Sequence, residues 1–160
     1  MLERLTEYNH KLVADYHQFY LQDEDAEGDL SNSWTQEATD NLLALGRGTI
    51  GVGTARSTEV PVTLQISSDA PNDEDFSEWD QVNECSIEVP SGRLVIAGCI
   101  DYFPDAVRLS IEPGTYRARV YYGKLDELSE DGEQGDDHYR IVLWPGASAE
   151  TKVLKRWKPI

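Results

Sequence analysis

From Gly48 to Trp144 the apolar residues keep a period of two, and that alternation restricts the fold more than any other feature. Val60, Val62, Leu64 and Ile66 alternate with Pro61, Thr63 and Gln65. Cys85, Ile87 and Val89 follow, then Leu94, Ile96, Gly98 and Ile100, then Val107, Leu109 and Ile111. Tyr116, Ala118, Val120 and Tyr122 alternate with Thr115, Arg117, Arg119 and Tyr121, and Tyr139, Ile141 and Leu143 with Arg140, Val142 and Trp144. Successive strand side chains point to opposite faces, so each run describes a strand with one face on a core. Lys11–Leu21, rich in aromatic and β-branched residues, predicts an earlier strand, Thr49–Arg56 another, and Thr151–Trp157 a last one.

Pro90–Ser91–Gly92 and Pro113–Gly114 mark turns between strands. Pro61 can supply no ladder donor, which suits an edge position or a strand start. One helix is predicted near residues 34–45: Trp34, Ala38, Leu42 and Leu45 share a face, Ser33 can cap it with Gln36 three residues on, and Gly46 can close it. About nine strands and one short helix indicate a mainly β chain, an antiparallel β-sandwich or jelly roll. Its 160 residues suit a single domain, 1–160, and no repeat or composition shift divides it.

Charge is the second constraint. Asp23–Asp29, Asp69–Asp80 and Asp126–Asp137 hold 18 of the 30 acidic residues and no Lys or Arg. The formal net charge is −16, so the rest of the chain is close to neutral and the acidity belongs to three loops. Such a surface repels phosphate, which argues against direct nucleic-acid binding and against an anionic membrane. The natural partner is cationic, a metal ion or a basic protein. A loop serving only solubility would tolerate both signs of charge.

Catalytic signatures are poor. Gly48–Gly53 has no following Lys-Ser/Thr, and no Gly-x-Ser-x-Gly elbow occurs. Of the three histidines, His17 reads as a hydrogen-bonded structural side chain and His138, beside Asp136 and Asp137, as local charge balance. The expectation is a protein without catalytic residues or a cofactor. Asp23-x-Asp25-x-Glu27-Gly28 opens like an EF-hand loop, but Trp34 stands where the bidentate Glu is required. Cys85 and Cys99 read as two reduced, buried thiols, with a cross-strand disulfide as the other arrangement. The start, Met1 onward, has no apolar stretch of a secretory signal, and no run of about 18 apolar residues occurs, so a cytoplasmic location is expected.

Two further segments resemble a known family. Tyr16-His17-Gln18-Phe19, followed after the acidic insertion by Trp34-Thr35-Gln36-Glu37-Ala38, resembles the competence protein J family, the Nin inhibitors of a DNA-uptake nuclease. Val89-Pro90, Leu109-Ser110, Pro113-Gly114-Thr115-Tyr116 and Asp137–Tyr139 extend the likeness, which spans roughly Val13 to Trp144. The chain departs from the pattern in its longer acidic loops and its basic tail of Lys152, Lys155, Arg156 and Lys158.

The resemblance implies inhibition of a nuclease, and charge suggests how. A nuclease cleft attracts phosphates, so carboxylates on a rigid scaffold can occupy it. Asp73, Glu74, Asp75, Glu78 and Asp80 are the first candidates, with Trp79 as an apolar anchor; Asp131, Glu133, Asp136 and Asp137 are the second. Phe76 and Trp79 fit either an exposed anchor or packing back onto the sandwich. The alternative reading is a calcium-binding β-sandwich module without catalytic activity.

Overall fold

The structure, a computed structural model, describes residues 5–72 and 75–158. The alternating runs form strands as expected: β5 is Glu59–Ser67, β6 Gln81–Val89, β7 Arg93–Gly98, β8 Val107–Ser110, β9 Gly114–Gly123, β10 His138–Pro145 and β11 Lys152–Lys155. Four elements precede these strands: β1 (Leu5–Val13), β2 (Gln18–Asp23), β3 (Leu43–Gly46) and β4 (Thr49–Gly53). One sheet has the order β1-β5-β10-β9-β6-β11 and the other β3-β4-β2-β7-β8. The chain is thus mainly β, with two open sheets packed face to face. Every ladder is antiparallel except β10 on β5, which runs parallel.

Two segments fold differently from their sequence reading. Lys11–Leu21 is not one strand. Leu12 and Ala14 are buried, and so are Phe19 and Leu21, but the step from Ala14 to Phe19 is odd and breaks the period. There the chain leaves the six-stranded sheet, turns through a 3-10 segment at Asp15–His17, and enters the five-stranded sheet. Tyr16 and His17 both have φ 59°. His17, read as a hydrogen-bonded structural side chain within a strand, is exposed on this turn.

The helix, α1, covers only Gln36–Asn41. Thr35, not Ser33, caps it: its Oγ1 accepts the Ala38 N–H at 3.1 Å. Leu42, at φ 58°, ends it. Residues 43–46 instead pair with β4 across the two-residue turn at Arg47-Gly48, where Gly48 has φ +65°. That hairpin supplies ladder bonds to groups that a longer helix would have used. These two departures raise the strand number from about nine to eleven among the described residues.

Pro61 lies opposite Lys11 of β1, one residue before the β5–β10 ladder begins at Val62, so its missing donor leaves that ladder intact. The core between the sheets includes Phe19, Leu21, Ile50, Leu64, Ile96, Tyr122 and Ile141. Cys85 faces it from β6, fully buried, and burial pushes its thiol pKa up to about 12. Both cysteines are free. A Cys99→Ser chain is expected to show no reactive thiol toward a disulfide reagent at pH 8 until denaturant is added; rapid native labelling would mean that β6 opens.

The six-stranded sheet also carries apolar side chains on its outer face. Val82, Tyr121, Val142 and Trp144 are buried there. The residues just before β6 lie on this face, where Phe76 and Trp79 cover the patch. Trp79 packs on Tyr121 with ring centroids 5.1 Å apart, and Phe76 meets the same ring at 6.2 Å. No helix among the described residues is long and apolar enough to cross a membrane.

Candidate partner-binding surface

The strand directions decide which acidic loops meet. β6 begins beside the end of β9, since Gln81 pairs with Tyr122, and β10 begins beside that same end, since His138 pairs with Gly123. The last part of the 69–80 stretch and the whole 126–137 loop therefore share one end of the sandwich. Asp80 joins them: its N–H donates to the Tyr122 carbonyl at 2.8 Å and its Oδ2 accepts the Leu125 N–H at 2.7 Å. The 23–29 stretch lies at the opposite end, where β6 passes into β7. Asp23 is buried there, accepting from the Ser91 N–H and hydroxyl, and Glu24 pairs with Arg93 and Arg108.

The ten residues singled out by charge divide into groups. Asp73 and Glu74 lie outside the described residues. Asp75, Glu78, Asp131, Glu133 and Asp136 are exposed. Asp75 Oδ1 accepts the Ser77 N–H at 3.0 Å, and bonds from Ser77 hold its carboxyl below the usual range. Asp131 Oδ1 accepts from the Ser129 hydroxyl at 2.6 Å and the Glu133 N–H at 3.0 Å, which lowers its pKa in the same way. Both carboxylates are thus charged and held by their own loops.

Trp79, Asp80 and Asp137 are placed differently from a contact surface. Trp79 is 8% exposed, so it has packed back onto the sheet. Asp80 is half-buried and ties two loops together. Asp137 is fully buried: Arg56 Nε donates to its Oδ1 at 2.5 Å and the Tyr139 hydroxyl to its Oδ2 at 2.6 Å. The cause is strand phase, because Asp137 precedes Tyr139, Ile141 and Leu143 by steps of two on the inward face.

The basic tail lies against this end. Lys155 Nζ donates to the Phe76 carbonyl at 2.9 Å, Arg156 to Asn41 Oδ1 at 2.8 Å, and Trp157 Nε1 to Asp126 Oδ2 at 3.1 Å. On the outer face of the same sheet Glu84 bridges Arg117 and Arg119. Burial raises its pKa, but the two guanidinium hydrogen bonds outweigh burial and bring it below the usual range. Its stabilisation is therefore present above the unfolded value and fades as pH falls through the lower folded one.

Three exposed apolar residues at this end escaped the charge-based reading: Tyr16, Ile100 and Tyr102. The strand run was expected to continue through Ile100, but β7 stops at Gly98 and Ile100 is 62% exposed. Asp101 and Pro104 in that segment were the available turn signals. Tyr16 had none, because a positive φ at tyrosine has no sequence marker. Among the described residues no group of three or more His, Cys, Asp or Glu side chains is placed to hold a metal ion.

No family model matches the sequence. Among curated proteins, the corticotropin-releasing factor receptor 1 of Ovis aries is 25% identical over 89 residues, which cover 51% of this chain and 21% of the receptor. The chain thus spans about a fifth of the length of that curated relative. Two solved structures share the fold over nearly their whole length. The crocagin biosynthetic gene J product is 19% identical with a TM-score of 0.56, covering 92% of this chain and 100% of its own. ComJ of Bacillus subtilis, an inhibitor of the DNA degrading activity of NucA, is 18% identical with a TM-score of 0.69, covering 89% of this chain and 99% of its own. The family likeness carried by the Tyr16–Phe19 and Trp34–Ala38 segments is matched in the fold: the chain has a ComJ-like architecture of two open, packed sheets.

Proposed function

We propose that this protein inhibits a nuclease, binding a basic cleft through carboxylates at one end of the sandwich. The observation that carries the reading is the full-length fold match to a nuclease inhibitor. The exposed Asp75, Glu78, Asp131, Glu133 and Asp136 supply the chemistry. A cleft built to bind DNA presents Arg and Lys at phosphate spacing, and carboxylates held on rigid loops compete for those cations. Asp73 and Glu74 extend the same acidic stretch and are part of the proposed surface. Asp80, Asp137 and Trp79 serve it indirectly, by fixing the loops that display the others. The protein acts as a binding partner and not as an enzyme, and its two free thiols suit the reducing cytoplasm.

The test is inhibition of DNase activity in extracts of the source cells by the purified protein. Inhibition is expected at low ionic strength, with a loss of about tenfold or more in apparent affinity near 0.3 M salt as the charges are screened. A Glu133→Lys, Asp136→Lys variant is expected to lose at least about tenfold at low salt with an unchanged melting temperature, since both side chains are exposed and leave the bonds that Asp131 makes within the loop intact. DNase activity that ignores the wild-type protein at every salt concentration would remove the inhibitor reading.

A further inference from the structure

The carboxylates supply steering and discrimination, but charge complementarity adds less to raw affinity. Tight interfaces centre on a few desolvated aromatic residues within a polar rim. Trp79 cannot be that centre without leaving the sheet. The exposed apolar residues at the same end of the sandwich can. Tyr16 is 74% exposed, Tyr102 70% and Ile100 62%.

Their two loops adjoin. Phe19 of β2 pairs with Gly98 of β7, so the turn before β2 lies beside the loop after β7. A Cβ at Gly98 would stand 2.2 Å from the Val13 carbonyl oxygen, so the two segments touch where each leaves its sheet. The loop after β7 is held by Asp101, whose Oδ2 accepts the Gly98 N–H at 2.7 Å.

The turn carrying Tyr16 is strained and tied to its neighbours by backbone hydrogen bonds. A bulky aromatic at φ 59° is an uncommon and energetically costly backbone state. It persists because neighbours fix it. Ala14 N–H donates to the Thr58 carbonyl, His17 N–H to the Ala14 carbonyl and Thr54 N–H to the His17 carbonyl, each at 2.9 Å. The result is a tyrosine ring held out in solvent on a fixed base. Residues in such backbone states cluster at functional sites.

The surroundings define the partner. The Thr58 hydroxyl donates to the Glu133 carbonyl at 2.8 Å, so the Tyr16 turn connects to the second acidic loop. Beside that contact lies a cleft of about 560 Å³ whose lining includes Glu59, Glu133 and Asp136 together with Lys11 and the paired Arg56 and Asp137. Asp101 and Asp105 are exposed on the other side. An apolar centre flanked by carboxylates on both sides fits a basic protein with an apolar pocket beside its cationic residues.

We propose that Tyr16, Ile100 and Tyr102 form the apolar centre of the interface with that basic protein, while the cleft between Glu59 and Asp136 receives one of its Arg or Lys side chains. This rests on the inhibitor reading for the partner's identity, but not for the position of the surface. The photo-crosslinking residue p-benzoylphenylalanine is placed at position 102 and, as control, at exposed Asp29 on the opposite end; the full chain is then irradiated in source cells. Position 102 is expected to capture one basic protein that position 29 does not. In the DNase assay, a Tyr16→Gly, Tyr102→Ser variant is expected to lose roughly ten- to thirtyfold in affinity, as aromatic hot spots do. Its melting temperature is expected to hold or rise, because glycine relieves the strain at position 16. Capture of a basic protein without nuclease activity would support the surface and overturn the inhibitor reading. Capture of a second copy of this chain, no capture at position 102, or undiminished inhibition by the folded variant would each overturn the surface.

Discussion

Replacing Arg56 by methionine is expected to destabilise the protein by about 3–5 kcal/mol, measured by urea unfolding at neutral pH. The guanidinium and the Asp137 carboxylate are both buried, with side-chain exposures of 8% and 0%. Methionine keeps much of the volume and removes the charge, leaving a buried carboxylate with the Tyr139 hydroxyl as its remaining side-chain donor among the described residues. That hydroxyl remains a donor, because burial and its bond to Asp137 push its pKa far above the usual range, and it accepts from the Ala55 N–H at 2.8 Å. Asp137 is also where the second acidic loop enters β10, so the lost pair loosens the base of Glu133 and Asp136. The double variant Arg56→Met, Asp137→Leu is expected to recover most of the loss, since a buried pair replaced by apolar groups is often neutral or better. A single variant within about 1 kcal/mol of the parent would show that water reaches Asp137 and that the pair does not fix the loop.

Asp136 and Asp137 also show how much of the site was legible. In the sequence they are two acids in an acidic run. The strand that follows assigns them to opposite faces, because Asp137 keeps phase with Tyr139, Ile141 and Leu143 while Asp136 does not. The same period located β5 to β10, although it began β6 four residues late at Cys85 and carried β7 two residues too far, to Ile100. It could not announce that β10 lies parallel to β5, because alternation describes one strand and not its neighbour. It did contain the break between Ala14 and Phe19, where one expected strand became two. The helix was overextended because Leu42 and Leu45 keep step with Trp34 and Ala38 on a helical face, while Leu43 to Gly46 also suit a hairpin strand, and only long-range pairing decides between them. Positive φ at Tyr16 and His17 is a consequence of the surrounding sheets, which is why the exposed tyrosine was read as part of a strand.

The second large effect concerns Trp79. Its replacement by alanine is expected to cost about 3–5 kcal/mol, the range for truncating a buried aromatic. The ring lies between Tyr121 and His138, each with its centroid 5.1 Å away, and the Arg140 guanidinium stands 5.1 Å from its centre. Removing it uncovers Val82, Tyr121, Val142 and Trp144 on a sheet whose edge strand β11 has only four residues. A rise in binding of a hydrophobic dye should therefore accompany the loss of stability, whereas Trp79→Phe should retain most of both. Glu78→Ala, one residue away and exposed, is expected to stay within about 0.5 kcal/mol and to act on partner affinity alone. The two neighbours thus separate the roles that the sequence had merged into one acidic loop. If Trp79→Ala were as mild as Glu78→Ala, the loop would not be latched to the sheet. The indole would then be free to meet the partner directly, and the apolar centre assigned to Tyr16, Ile100 and Tyr102 would have a competitor on the same end of the molecule.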